Sequence, residues 1–194
     1  MSDAAARIRR VICDVVRQAL ADANADGLLI QEDTTPEGEL AVAWLGETLG
    51  ADRVWRTGTM ASNVHPARPG SDRPVLWVHP ANKSALLLGG RVPAADLFPF
   101  GDVYASQIAA IAGDWSGPTS VRELAARAGG IDAVDATLRE IVDRRANPED
   151  AAGALGPDVA AALLTSYEKG RYFRLRPRLV PKLGPRTLGI DLFD

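Results

Sequence analysis

Cysteine and histidine are scarce in this chain of 194 residues, which holds one cysteine, Cys13, and two histidines, His65 and His79. A single cysteine excludes an internal disulfide and any multi-cysteine metal cluster, and suits a reducing compartment. Two histidines fall short of a zinc site. No apolar run approaches the roughly 20 residues that span a bilayer. The opening "MSDAAARIRR" also lacks the basic-then-apolar order of a signal peptide. Nor is there an excess of one charge: 22 basic and 25 acidic side chains give a formal charge of -3, so the chain as a whole is not built to bind DNA, RNA or an anionic membrane. Internal repeats and low-complexity tracts are absent. These absences lead to the expectation of a cytoplasmic protein with no membrane partner, organised as a single domain over 1–194.

What is present is a regular alternation of patterns. Ile8, Val11, Ile12, Val15, Val16 and Leu20 recur at spacings of three and four, which predicts an amphipathic helix starting near Ser2. "GLLIQE" at 27–32 is short and apolar and reads as a buried strand. Thr35 followed by Pro36 predicts an N-cap and first helical residue, with Leu40, Ala43, Trp44, Leu45 and Leu49 on the buried side and Gly50 ending the helix. "DRVWRTG" predicts a second strand, residues 58–74 a long loop, and "PVLWVHP" a third strand. Helical patterns follow at 101–112, 119–128, 131–145, from Pro148 with Asn147 as cap, and at 158–169. Strands alternating with helices predict a three-layer α/β fold, a parallel sheet flanked by helices. That core would occupy 1–112, with a helical part over 113–170 and an extended tail over 171–194, whose prolines argue against further helix.

One stretch carries more specific information. "PANKSALLLG" followed by "ADLFPFGDVYASQI" places Asn82, Lys83, Ser84, Leu86 to Leu88, Gly89, Asp96, Pro99, Gly101, Asp102, Tyr104 and Ile108 in fixed order over 27 residues. This resembles the signature region of the ammonia- and glutamine-dependent NAD synthases, members of the ATP-pyrophosphatase group. The resemblance implies a Rossmann-like, adenine nucleotide alpha hydrolase-like fold. It covers most of the chain but is specific only from residue 80 to 108; Lys169, Arg171 and Pro177 match the family's closing H-K-R-x-x-P element loosely.

The same resemblance exposes departures. The family's S-G-G-x-D-S phosphate loop is represented here by "TPEGEL", Thr35 to Leu40, with Pro36 and Glu37 at the glycines, Glu39 at the Asp and Leu40 at the second Ser. Proline has no N–H to offer a phosphate, and a glutamate beside one repels it. The family's magnesium-ligating Glu is Ala85 and its phosphate-neutralising Lys is Ala105. The interval from Gly89 to Asp96 is short, omitting a threonine and a second acidic ligand of the family, and only the loop 58–74 stands where the family has a further helix, strand and helix.

Several residues therefore carry two readings. Asn82, Lys83 and Ser84, with Thr35, form a residual nucleotide site, or else Asn82 caps a helix and Lys83 is solvated. Asp96 and Asp102 pair as acid–base or metal carboxylates, or cap turns, Asp102 opening the helix with Tyr104 and Ile108. Glu37 and Glu39 hold a metal in a rebuilt site, or complement a helix dipole. His79, at a strand end, reads as structural or ligand-lining, His65 as solvated, and Cys13 as lying off the apolar stripe without thiolate reactivity. The basic tail, Lys169, Arg171, Arg174, Arg176, Arg178, Lys182 and Arg186 with Tyr172 and Phe173, grips phosphate or nucleic acid, or clamps onto acidic helices of its own chain or a dimer mate. "SVRELAARAGGIDAVDATLRE" begins like a helix-turn-helix, yet Asp132 and Asp135 stand where a reading helix needs bases, which argues against DNA binding. The expectation is a shortened, degenerate NAD synthase-like protein with no catalytic residues and no metal, and with no cofactor unless it is active. It would serve as a homodimeric scaffold or weak nucleotide binder. The alternatives are an ATP- and Mg2+-dependent amide ligase completed by a partner, and a phosphate- or nucleic-acid-binding module using the tail.

Overall fold

The computed structural model describes residues 2–31, 34–56, 72–89, 95–174 and 179–186, with the backbone alone for 172–174. Helix α1 (Asp3–Asp22) is capped by the Ser2 side chain, which accepts from Ala5 N at 3.3 Å. It buries Ile8, Ile12, Val16 and Leu20 along one stripe. Cys13 belongs to that buried face too, contrary to the reading that set it aside. Its Sγ accepts from Thr48 Oγ1 at 3.1 Å, which ties α1 to the end of α2 (Pro36–Leu49).

Strand β1 (Gly27–Ile30) lies between β2 (Val54–Arg56) and β3 (Val75–Val78), all three parallel, in the order β2-β1-β3. All four residues of β1 are buried, which is why its sequence is a continuous apolar run rather than an alternating one. Gly27 is required by close approach: a Cβ there would stand 2.3 Å from the Arg53 carbonyl oxygen. Thr35 caps α2 as its sequence predicts, accepting from Gly38 N at 3.1 Å, and Gly50 ends the helix at φ +97°, a conformation that favours glycine.

Past β3 the chain makes α3 (Lys83–Leu88), then returns alongside β3 through Leu97, whose amide bonds the Trp77 carbonyl at 3.1 Å. The remaining helices are α4 (Ala105–Ala112), α5 (Thr119–Arg127), α6 (Ile131–Val142), α7 (Pro148–Ala152) and α8 (Pro157–Arg174), with α8 packed on α3. Three helix boundaries differ most from the sequence pattern, one of them the end of α6, at Val142 rather than near 145. Residues 101–104 are turns rather than helix, because Gly101 and Val103 amides bond back to Phe98 and Phe100. Helix α8 runs to Arg174, beyond the expected end near 169, because the nearest prolines follow only at 177 and 181. Residues 179–186 are non-helical, and Leu179 bridges Leu97 in parallel fashion, beyond β3. The sheet is thus small, parallel and flanked by helices, and one buried cluster includes Val16, Leu28, Leu45, Leu87, Phe100, Ile108, Leu138 and Leu163. The long loop predicted at 58–74 falls mostly outside the described residues, as do His65, Arg176 and Arg178.

Candidate functional site

Asn82, Lys83 and Ser84 stand where the chain leaves β3 and enters α3, and all three are 0% exposed. Asn82 caps the helix, its Oδ1 accepting from Ala85 N at 2.9 Å. Its Nδ2 donates to Glu37 Oε1 at 2.6 Å and to the Ser116 carbonyl at 2.8 Å. Lys83 is not the solvated lysine that a helix start suggests. Its Nζ donates to Asp102 Oδ1 at 2.9 Å, Asp143 Oδ1 at 3.0 Å and the Arg186 carbonyl at 2.7 Å, and these three acceptors take up the three hydrogens of the ammonium. Ser84 Oγ donates to Asp135 Oδ1 at 2.5 Å and accepts from Ala105 N at 3.0 Å. Three consecutive side chains therefore reach three different parts of the fold: the first turn of α2, the junction of α4 with the end of α6 and the tail, and the start of α6.

The carboxylates that receive them are equally committed. Glu37, 0% exposed, accepts from Ser116 N at 3.0 Å and Ser116 Oγ at 2.5 Å as well as from Asn82, so it does more than complement the dipole of α2. Exposed Glu39 is the residue that fits the dipole role. Asp102 does not cap α4; Tyr104 holds that position, and Asp102 Oδ2 instead accepts from Leu183 N at 2.7 Å and Gly184 N at 2.6 Å, fastening the tail. Asp143 Oδ2 accepts from the Tyr104 hydroxyl at 3.0 Å. Asp135 Oδ2 accepts from Ser106 N at 2.7 Å. Burial raises the Asp135 carboxyl above its ordinary value, and the bonds from Ser84 and Ser106 only partly oppose this. The Tyr104 phenol is pushed well above its ordinary range, first by burial and then by the charge of Asp143 and the hydrogen bond to it. The Arg139 guanidinium, 4.6 Å over the ring, works in the other direction.

The start of α2 offers little to a phosphate. Pro36 has no N–H, Gly38 N is capped by Thr35, and Glu39 N donates to the Thr35 carbonyl at 2.8 Å. The start of α3 is similar: Lys83 N donates to the Val103 carbonyl at 2.7 Å and Ala85 N to Asn82. Asp96 and Asp102 serve different partners, Asp96 Oδ2 accepting from Trp77 N at 2.8 Å at the edge of β3. His79 is buried, its Nδ1 accepting from Ala81 N at 3.1 Å and its ring lying 5.8 Å from that of Phe98. Among the described residues no group of three or more His, Cys, Asp or Glu could hold a metal ion. No helix among them is long and apolar enough to cross a membrane. In the basic tail, Lys169, Arg171 and Lys182 are exposed, while Arg186 contributes its carbonyl to Lys83.

Sequence reasoning missed Asp135, Asp143, Ser116 and Arg139 as members of this cluster. A signal existed for Asp135: it lies four residues after Ile131 and three before Leu138, on the apolar face of α6, where a carboxylate requires a buried partner.

No protein-family model matches the chain, and no curated protein matches its sequence. Solved structures are similar in shape. The NH3-dependent NAD synthetase of Campylobacter jejuni, solved in complex with a nitrate ion, superposes with a TM-score of 0.62 at 16% identity over 92% of this chain and 99% of that one. The glutamine-dependent NAD+ synthetase of Acinetobacter baumannii, solved with ADP, gives a TM-score of 0.45 at 15% identity, over 98% of this chain and 49% of that one. The chain therefore has an NAD synthetase-like α/β fold.

Proposed function

We propose that this chain is a shortened NAD synthetase-like protein that does not adenylate a substrate and serves as a binding scaffold. One observation carries the reading: the side chains of Asn82, Lys83 and Ser84, the residues most like a nucleotide-binding turn, are wholly buried, and their donors go to Glu37, Asp102, Asp143 and Asp135. A nucleotide could reach them only by breaking those bonds, and removing one partner of a buried ion pair costs about 3–5 kcal/mol. The neighbouring positions support the same view. Pro36 withholds an N–H, and Ala85 and Ala105, both buried, offer neither an oxygen to magnesium nor a charge to phosphate. The residues present do not fit a bound magnesium or triphosphate.

The internal bonds give the motif a different job. Each of its three side chains fastens α3 to a separate element, so the turn selects one arrangement of α2, α4, α6 and the tail. A fully satisfied buried polar network can specify a unique packing in this way. The protein is incubated with ATP, magnesium, ammonia and nicotinic acid adenine dinucleotide, and AMP is measured. The expected result is no AMP above the protein-free control, and sustained stoichiometric release of AMP overturns the reading.

A further inference from the structure

An open cavity of about 290 Å³ lies apart from the phosphate-loop position, bordered by the start of α1, the start of α4, the last turns of α6 and the tail at 183–185. Its hydrogen-bonding walls are lopsided. Arg7 makes no ion pair or hydrogen bond among the described residues, although it lines the cavity. Arg139 donates from Nη2 to Ser106 Oγ at 3.1 Å and stacks on Tyr104, which leaves Nε and Nη1 without an acceptor among the described residues. Gln107 accepts from Tyr104 N at 2.9 Å through Oε1 and retains its amide hydrogens. Two carboxylates also border the space, but both are already supplied: Asp143 by Lys83 and Tyr104, Asp102 by Lys83 and two tail amides. Arg7 and Arg139 balance these two aspartates in formal charge, so what distinguishes the lining is its free donors.

A site with donors to offer and acceptors already filled selects a ligand that accepts. The planar fork of an arginine matches a carboxylate in two parallel hydrogen bonds. Ile8 and Leu183 provide apolar wall for a short hydrocarbon body. The volume stands at the lower end of small-molecule sites, which limits the ligand to a few carbons or one small ring. We propose that this cavity binds a small organic acid through its carboxylate, held by Arg139 and Arg7. This is independent of whether the chain has lost adenylation, since Arg7, Arg139 and Gln107, whose free donors carry it, are not among the residues that resemble the family's signature.

The test uses the full chain and sodium benzoate, with sodium acetate as a smaller acid and benzamide as a neutral isostere, read by amide chemical shifts. Benzoate, acetate or both should give saturable shifts at Tyr104, Gln107 and Gly184, with benzamide giving none. Arg139→Gln should weaken binding at least tenfold. Arg7→Gln, on the exposed face of α1, should weaken it severalfold without disturbing the fold, and Arg10→Gln, which lies outside the cavity, should leave it unchanged. The proposal is overturned if neither acid produces saturable shifts up to tens of millimolar, if benzamide binds as well as benzoate, or if Arg7→Gln and Arg139→Gln bind like the parent.

Discussion

Replacing Lys83 with methionine keeps an unbranched side chain one atom shorter and removes its charge and three donors. In the folded protein this takes the ammonium partner from two carboxylates, Asp143, which also accepts from the Tyr104 hydroxyl, and Asp102, which is fully buried and also accepts from two tail amides. Truncating one partner of a buried ion pair destabilises by about 3–5 kcal/mol, since the surviving charge stays desolvated. That is a large share of a typical total of roughly 5–15 kcal/mol. At about 2–4 °C per kcal/mol for a chain of this length, Lys83→Met should lower Tm by roughly 6–20 °C. Urea titration followed by circular dichroism gives the free energy directly. The double variant Lys83→Met/Asp143→Asn should be less damaged than the sum of its parts, by about 0.5–3 kcal/mol, because the two groups are coupled. A lysine held out in an open ligand site predicts the opposite, a change within about 0.5 kcal/mol as for most exposed substitutions. Such a result would refute the structural role assigned to Lys83.

Three further outcomes follow from the same cluster. Glu37→Gln should destabilise by about 1.5–3 kcal/mol in equilibrium unfolding, since an amide cannot accept from Asn82 and Ser116 together without turning a donor toward one of them. The Asp135 carboxyl is raised in the folded state, so the native protein holds that proton at higher pH than the unfolded chain. Its contribution is then fully present below the unfolded pKa and is lost as pH rises through the folded one. The parent should accordingly gain stability relative to Asp135→Asn when urea titrations at pH 7 are repeated near pH 4, and a gain in the reverse direction would contradict the assignment. Tyr104 is raised too, so above pH ~10 the unfolded state alone ionises it, and the parent should lose up to about 1.4 kcal/mol per pH unit relative to Tyr104→Phe. Paired unfolding curves between pH 9 and 11 measure that difference.

The sequence shows its helices and strands where local chemistry decides them. Ser2, Thr35 and Asn147 act as caps because each places an oxygen within reach of unpaired amides, and the four-residue apolar run of β1 is buried on both faces. The family resemblance, carried by the order of residues from Asn82 to Ile108, agrees with the superposed NAD synthetase fold. What escaped sequence reading was distance along the chain. Asp143 meets Lys83 across 60 residues and Ser116 meets Glu37 across 79, and neither pairing leaves a periodic trace. A lysine after a helix cap looks solvated until the elements that cover it are placed. The Asp102 position was misread for a related reason: an Asp near a helix start suggests a cap, but turns at 101–104 aim it at the tail instead.

The central claim is that the turn at residues 82–84 holds the protein together and has nothing left for a nucleotide. Titration calorimetry of the full chain with ATP and magnesium, with and without nicotinic acid adenine dinucleotide, measures this most directly. The account predicts no saturable heat below millimolar ATP in either case. Micromolar binding that depends on magnesium would contradict it.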